Sequence, residues 1–196
     1  MSDIKEYFKK SSDTITSLNE HETEIIKICE MIKVISKNNL KLLVAGNGGS
    51  CSDAEHFAGE LQCTYKSRDR KPISAISIGS LPAALTAWSN DFGFLSYFKR
   101  QVSAHGNPGD ILFLITTGGG TEHNGASMNL VEAAREAKLR NMTIITLSGK
   151  TGGILKELSD VNIIVKSNVT SHIQECHIAI LHCICEILEN KKNEIK

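Results

Sequence analysis

The sequence contains no apolar run long enough to cross a membrane. A membrane-spanning helix needs about 20 consecutive, mostly apolar residues, and none of the apolar runs in this chain approaches that length. The N-terminal residues 1–17 are polar and lack the apolar core that secretory signal peptides carry. We therefore expect a cytoplasmic protein without a membrane partner.

The sequence also has no excess of charge of either sign. Its 22 lysine and arginine residues balance its 22 aspartate and glutamate residues, so the formal net charge is zero. Proteins that bind nucleic acid usually present a basic surface, and this composition does not indicate one. We expect no nucleic-acid partner.

Cysteine pairs with the spacing of metal or redox motifs are absent. None of the cysteines forms a Cys-x-x-Cys pair, and no repeated spacing suggests a disulfide framework. We expect most of them to be reduced and buried, where they behave as small apolar residues. The six cysteines are Cys29, Cys51, Cys63, Cys176, Cys183 and Cys185.

The apolar residues that are present follow two successive patterns. In residues 1–36 they recur every three or four positions, which predicts amphipathic helix in two pieces, broken near residues 11–13 or at His21. From residue 41, short β-branched runs alternate with helical patterns, which predicts a parallel sheet covered by helices on both faces. The predicted strands are 41–45, 73–78, 111–116, 142–147 and 161–165, and the predicted helices are 50–64, 80–104, 122–139, 152–159 and 172–190.

No linker, low-complexity tract or internal repeat divides the chain. Its 196 residues fit one domain of ordinary size. Within that unit, we expect residues 1–36 to form a helical segment that packs on the core or on a partner subunit. Residues 37–196 are expected to form the α/β unit.

Two predicted strands end in segments rich in glycine and hydroxyl residues. The first leads into Gly-Asn-Gly-Gly-Ser at 46–50 and the third into Thr-Thr-Gly-Gly-Gly-Thr at 116–121, each directly before a predicted helix. Ligands of open α/β sheets bind at the carboxyl ends of the strands, and the free N–H groups of a helix start favour an anion. Neither segment matches a dinucleotide or P-loop pattern. The pattern therefore favours a small sugar phosphate, with two ordinary tight turns as the alternative.

Candidates for proton transfer lie on two predicted helices. His56 and Glu60 are four residues apart and so share a helix face, as a surface pair or as part of a site. On the last helix, Gln174 and His182 lie about 80° apart around the axis, whereas His177 faces elsewhere. Their side chains are either buried and satisfied or line a site. Spacing alone does not decide between these interpretations.

The order of these motifs resembles that of the sugar isomerase (SIS) family and, more narrowly, its phosphoheptose isomerase branch. The motifs are GNGGS (46–50), AEHFAGEL (54–61), SNDFGF (89–94), LSGKTGG (147–153) and IQECHIAILHCICEIL (173–188). The resemblance extends to about Glu189. It implies a single SIS domain, with a five-stranded parallel sheet flanked by helices in a flavodoxin-like three-layer sandwich. It also implies an aldose–ketose isomerase that converts sedoheptulose 7-phosphate to D-glycero-D-manno-heptose 7-phosphate through an enediol, the first step of heptose biosynthesis.

The resemblance also assigns roles to individual residues. Glu60 is implied as the base that moves a proton between C1 and C2 of the sugar, and His182 as the partner acid or base. One zinc ion per subunit is implied, held by His56, Glu60, Gln174 and His182. The N-terminal helices are implied to take part in a homotetramer whose active sites lie between subunits. The implied substrate-binding residues are Asn47, Gly48, Gly49, Ser50, Glu60, Asn90, Asp91, Thr116, Thr117, Gly118, Thr121 and Gln174.

The sequence departs from the family pattern around the phosphate. The family loop is usually Ser-Thr-Ser-Gly-Asn-Ser, whereas this chain has Thr-Thr-Gly-Gly-Gly-Thr at 116–121. Two arginines of the family pattern are replaced by Thr64 and His172. These changes leave open a substrate related to the usual heptose phosphate. The nearby cations that we expect to be able to compensate are Lys66, Arg68 and Arg70.

The sequence leaves open two further functions and one question about the role of Glu60. One is a non-catalytic SIS tetramer that binds the replication initiator protein, and another is a sugar-phosphate sensor. Glu60 and His182 favour the enzyme, because the regulator branch lacks this pair. Since a carboxylate that binds zinc is less free to act as a base, the division of Glu60 between these two roles is also open.

Overall fold

The fold is a parallel β-sheet with helices on both faces. The computed structural model describes residues 2–123 and 125–190. The strands are β1 (Leu42–Gly46), β2 (Ala75–Ser77), β3 (Ile111–Ile115), β4 (Thr143–Gly149) and β5 (Val161–Val165). They form one five-stranded sheet in the order β2-β1-β3-β4-β5, and every neighbouring pair is parallel. This is the flavodoxin-like strand order, so the predicted architecture is confirmed.

The helices follow the predicted pattern, with corrections at their ends. The predicted break at His21 is confirmed, because a short 3-10 helix, Ser17–His21, separates the first two α-helices. The single helix predicted over 80–104 is wrong: Gly93, in the left-handed region at φ 81°, ends one helix, and another begins at Tyr97. The helices are α1 (Asp3–Thr16), α2 (Glu22–Lys37), α3 (Gly49–Gln62), α4 (Pro82–Phe92), α5 (Tyr97–His105), α6 (Met128–Leu139), α7 (Leu155–Leu158) and α8 (Thr170–Glu189).

The strands divide the core into two layers. Alternate side chains of β1 point to opposite faces of the sheet, as strand geometry requires. Leu42 and Val44 join the cluster beneath α2, α3 and α8, whereas Leu43 and Ala45 join the cluster beneath α5 and α6. Because both faces are covered, β1 and β3 are buried along their whole length. This burial explains why the strands appear in the sequence as continuous apolar runs.

The cysteines are all free thiols, but their burial is more varied than expected. Cys29, Cys176 and Cys185 are buried and Cys51 is half-buried. Cys63 and Cys183 are exposed, so burial holds for only part of the set. Cys63 follows the last residue of α3, and Cys183 lies on the outer face of α8.

Among the helices of residues 2–123 and 125–190, none is long and apolar enough to cross a membrane.

Candidate active site

The two glycine-rich loops start side by side at the carboxyl edge of the sheet. Strands β1 and β3 are neighbours, and Gly46 at the end of β1 is in register with Ile115 at the end of β3. Strand β1 lies between β2 and β3, so the chain moves outwards from β1 to β2 and then crosses back past β1 to reach β3. Such a switch point opens a crevice at the strand ends, where ligands of open α/β sheets bind.

The first loop brings α3 and α8 close together. Gly49 is the first residue of α3, and a Cβ atom at this position would lie 2.6 Å from Nε2 of Gln174. Only glycine therefore allows the Gln174 side chain to lie against the start of α3. Ser50 follows as a buried residue in the first turn, where the helix dipole favours negative charge.

The second loop is folded tightly onto the segment after β4. A Cβ atom at Gly119 would lie 1.8 Å from the carbonyl oxygen of Gly152, and Gly119 has φ 73°. The carbonyl oxygen of Gly119 accepts a hydrogen bond of 2.9 Å from the N–H of Leu155. Gly119 is therefore required at least in part by this backbone contact.

Thr121 does not lie next to a helix, which corrects the prediction for the second loop. Helix α6 begins only at Met128, and the N–H of Thr121 donates to the carbonyl oxygen of Ala126 at 3.1 Å. The hydroxyl group beside the helix start is that of Ser127, whose Oγ lies 3.0 Å from Oγ1 of Thr116. Sequence reasoning missed Ser127, because the run of glycines suggested an earlier helix start.

Asn47 and Asn129 connect the first loop to α6. Each side-chain amide donates to the other's oxygen, at 2.9 and 3.0 Å. Asn129 lies in the first turn of α6 and is buried. Asn47 was predicted from the resemblance as a substrate contact, and its side chain here joins the first loop to α6. The pairing depends on two distant segments meeting, so spacing along the sequence gave no signal for Asn129.

His56, Glu60 and His182 converge between α3 and α8. Oε1 of Glu60 lies 3.1 Å from Nε2 of His56 and 3.6 Å from Nε2 of His182. The two imidazole rings have centroids 5.3 Å apart. His56 and Glu60 are therefore not an isolated surface pair, and the predicted meeting of His182 with Glu60 is confirmed.

These three side chains fit a metal ion. Their ligand atoms all lie within 4.8 Å of one another. Two ligands of a tetrahedral zinc ion with bonds of about 2.0–2.1 Å are separated by about 3.3–3.4 Å, and the two Glu60–histidine separations of 3.1 and 3.6 Å bracket that value. Two imidazoles and a carboxylate are also donors that zinc accepts.

Two further side chains contact this cluster, and sequence reasoning missed both. Oε2 of Glu60 accepts a hydrogen bond from the thiol of Cys185 at 3.4 Å. Burial raises the pKa of Cys185 well above its ordinary value, and the negative charge of Glu60 raises it further. The ring of Tyr65 stacks on that of His182, with centroids 5.9 Å apart. Cys185 sits three residues after His182 on the same helix face, which was the available signal.

The segment after α3 is held to the end of α8. Glu189 accepts hydrogen bonds from the backbone N–H groups of Tyr65, Lys66 and Ser67 and from Nε of Arg70. Burial acts to raise the pKa of Glu189, but the hydrogen bonds from Arg70 and from the three N–H groups bring it below its ordinary value.

Two of the three cations expected to compensate for missing arginines are engaged elsewhere. Arg70 pairs with Glu189 and donates to the carbonyl oxygens of Glu60 and Leu61. Lys66 pairs with Glu186. That expectation therefore does not hold for Arg70 and Lys66, whereas Arg68 is exposed.

Asn90, Asp91 and His177 have hydrogen-bond partners outside the cluster. Asn90 and Asp91 are exposed at the end of α4, where the Asn90 amide donates to the Asp91 carboxylate at 2.8 Å. Within the described residues, no hydrogen bond joins either of them to His56, Glu60 or His182. His177 faces elsewhere, as predicted: it is fully buried, and its Nε2 lies 3.2 Å from the carbonyl oxygen of Ser148.

The chain resembles known proteins over nearly its whole length. The SIS domain family matches residues 6–149. Phosphoheptose isomerase 1 of Campylobacter jejuni subsp. jejuni serotype O:2 is 43% identical over 166 residues, which cover 85% of this chain and 86% of the relative. Phosphoheptose isomerase of Helicobacter pylori strain P12 is 40% identical over 185 residues, covering 94% and 90% of the two chains.

A solved structure agrees with these relatives. The phosphoheptose isomerase from Francisella tularensis superimposes with a TM-score of 0.88 at 34% identity, covering 96% of this chain and 97% of the other. The helix–loop arrangement around His56, Glu60 and His182 thus belongs to a fold shared with proteins of that name. The chain is therefore a member of the SIS domain family and, within it, of the phosphoheptose isomerases.

Proposed function

We propose that this protein is a cytoplasmic aldose–ketose isomerase that converts sedoheptulose 7-phosphate to D-glycero-D-manno-heptose 7-phosphate. The observation that carries the proposal is the position of the Glu60 carboxylate between two imidazoles, 3.1 Å from His56 and 3.6 Å from His182. A carboxylate and an imidazole in contact are the groups that proton transfer between neighbouring carbon and oxygen atoms needs. Membership of the phosphoheptose isomerases supports the choice of substrate.

Each group has a step in this reaction. Conversion of the ketose removes a proton from C1 and leaves an enediol, after which a proton is returned to C2. Glu60 is assigned this carbon-bound proton, because a carboxylate can accept it and then release it to the adjacent carbon. His182 is assigned the proton that moves from O1 to O2, since imidazole exchanges protons readily near neutral pH.

Zinc is the metal that we propose for the cluster. His56, Glu60 and His182 would hold it, and Gln174, which extends from α8 over Gly49, is the proposed fourth ligand. When bound, a zinc ion stabilises negative charge on the oxygens of an enediolate.

The phosphate of the sugar is proposed to bind where the two glycine-rich loops meet. The start of α3 supplies N–H groups and a dipole that favour an anion. Ser127 lies at the start of α6, and its hydroxyl group contacts that of Thr116. Ser127 is therefore added to the hydroxyl groups proposed to bind the phosphate. The proposed phosphate and sugar contacts are Asn47, Gly48, Gly49, Ser50, Asn90, Asp91, Thr116, Thr117, Gly118, Thr121 and Gln174.

The assembly is proposed to be a homotetramer with active sites at subunit interfaces. Helix α1 is attached to α8 by polar contacts, in which Tyr7 and Ser11 donate to Glu175. Its apolar residues Ile4 and Phe8 are 70% and 66% exposed. A helix that contacts its own subunit through polar side chains and exposes apolar side chains on its other face is suited to a subunit interface. Light scattering coupled to gel filtration tests this, and a monomer at micromolar concentration would contradict it.

The decisive experiment follows the C1 protons of the substrate. Sedoheptulose 7-phosphate is incubated with the enzyme in deuterated water, and NMR monitors exchange at C1 and appearance of the aldose. We expect exchange with the wild type, none with Glu60→Gln, and normal exchange with Glu55→Gln, a control on the exposed face of the same helix. If the wild type binds the phosphosugar but does not exchange its C1 protons, the protein is a sensor and not an isomerase.

A further inference from the structure

The two oxygens of the Glu60 carboxylate have different partners. Oε1 faces the imidazoles of His56 and His182. Oε2 accepts a hydrogen bond from the thiol of Cys185, with the sulfur 3.4 Å away. The backbone of Glu60 is held separately, because its carbonyl oxygen accepts from Nη2 of Arg70 at 2.5 Å. Arg70 therefore holds the main chain, and the thiol contacts the reactive end of the side chain.

Cys185 reaches Glu60 because of its position on α8. Residues three apart on a helix share a face, so His182 and Cys185 both point from α8 towards α3. Cys185 is only 2% exposed and belongs to the apolar cluster beneath α3 and α8. Water is therefore largely excluded from competing for this hydrogen bond. The thiol is a polar contact at the boundary between the apolar core and the cluster.

We propose that Cys185 is a positioning residue of the isomerase, whose thiol fixes the rotation of the Glu60 carboxylate so that Oε1 faces the reaction. The proposal rests on the function proposed above. The terminal torsion of a glutamate side chain is broad and nearly two-fold, so the helix backbone does not select one orientation of the carboxylate plane. A donor on Oε2 selects it. The sulfur itself forms no bond to the sugar and takes no proton from it.

The simpler alternative is that Cys185 only fills the core. Buried free cysteines commonly behave as small apolar residues, and Cys176 on the same helix is fully buried in this way. The two roles make different demands on the side chain. A core filler needs volume, which valine supplies. A positioning residue needs a donor, which serine supplies with a hydroxyl group.

The test compares Cys185→Ala, Cys185→Val and Cys185→Ser with Cys176→Ala as the matched control. Misplacement of a reactive group by about 1 Å can cost on the order of 100-fold in rate. We therefore expect kcat to fall roughly 10- to 100-fold in the alanine and valine variants, with KM changed less than about twofold. Serine is expected to restore most of kcat, and Cys176→Ala to retain the wild-type value.

A kinetic isotope effect separates positioning from loss of folded protein. Substrate deuterated at C1 slows the step that Glu60 performs, so a misplaced carboxylate increases the isotope effect on kcat. A smaller fraction of folded enzyme lowers the rate without changing this ratio. Circular dichroism melting reports folding directly. If the alanine variant does not fold, the valine variant, which keeps most of the side-chain volume, replaces it.

The outcomes distinguish this inference from the proposed function. A wild-type protein without C1 exchange overturns the isomerase itself. An active wild type whose Cys185→Val variant keeps both kcat and the isotope effect overturns only the positioning role. Equal losses in the serine and valine variants would also overturn it, because the donor would then have no part in the effect.

Discussion

The ring of Tyr65 stacks on the ring of His182, with centroids 5.9 Å apart and an angle of 28° between the planes. Tyr65 belongs to the segment that follows α3, whereas His182 lies on α8. The contact exists because Glu189, two turns beyond His182, binds the backbone of this segment at three successive N–H groups. One carboxylate near the end of α8 thus places an aromatic ring against a proposed catalytic histidine.

Replacement of Glu189 by glutamine tests this arrangement. The side chain is 6% exposed and pairs with Arg70, which is 11% exposed, so the variant leaves a nearly buried guanidinium without its charge partner. We expect the free energy of unfolding to fall by about 2–4 kcal/mol. We also expect kcat to fall because Tyr65 is no longer held on His182. Urea unfolding and steady-state kinetics measure the two effects.

Glu186→Gln is the control for that variant. Glu186 lies on the same helix, but its partner Lys66 is 63% exposed, and exposed ion pairs contribute little to stability. We therefore expect no measurable change in the free energy of unfolding. Equal destabilisation by the two substitutions would show that the hydrogen bonds to the segment contribute nothing specific.

Removal of the ring itself gives a second prediction. Tyr65→Phe keeps the stacked face and should retain most of kcat, whereas Tyr65→Ala leaves His182 free to change rotamer. We expect kcat to fall about tenfold in the alanine variant, within the range attributed to positioning effects. Steady-state rates at saturating substrate measure this. A phenylalanine variant as slow as the alanine variant would instead assign the role to the phenolic hydroxyl.

The sheet is predictable from the sequence because strands that are buried on both faces appear as continuous apolar runs. Residues 111–115 are apolar without interruption. A short apolar run of this kind between two helical patterns is typical of a buried parallel strand. His56, Glu60 and His182 were also predictable, since helix spacing and the resemblance place them on facing elements. For these residues, local pattern and tertiary structure agree.

The parts that the sequence did not predict depend on contacts between distant segments. Cys185 appears in the sequence as an apolar helix position, and its hydrogen bond exists only because α3 lies opposite. The Asn47–Asn129 pair requires the first loop and the first turn of α6 to meet. Gly93 ends a helix because its φ is positive, and the spacing of apolar residues carries no information on φ.

The proposed zinc site gives a third prediction. Purified protein should contain about one zinc per subunit, and His56→Ala should lower that content, because it removes one of the imidazoles in contact with Glu60. His105→Ala removes a half-buried histidine on α5 and should leave the zinc content unchanged. Elemental analysis after dialysis against a weak chelator measures both. Equal metal content in the two variants would exclude His56 as a ligand.

The last prediction concerns His177, whose burial makes stability depend on pH. Burial lowers the pKa of His177 from 6.5 to about 4, and the hydrogen bond to the Ser148 carbonyl opposes this only in part. Between these values the unfolded chain binds a proton that the folded chain does not. The free energy of unfolding therefore decreases as pH falls from about 6.5 to about 4, by up to about 3 kcal/mol from this residue.

His177→Gln should remove this contribution, because glutamine is neutral throughout and retains an N–H donor. Urea unfolding of metal-free protein at several pH values between 7.5 and 4.5 measures the slope, and metal removal keeps His56 and His182 from adding a zinc-dependent term. Carboxylates contribute alike in both proteins, so the difference between slopes isolates His177. A His177→Gln variant with the wild-type slope would show that the buried imidazole titrates as in the unfolded chain.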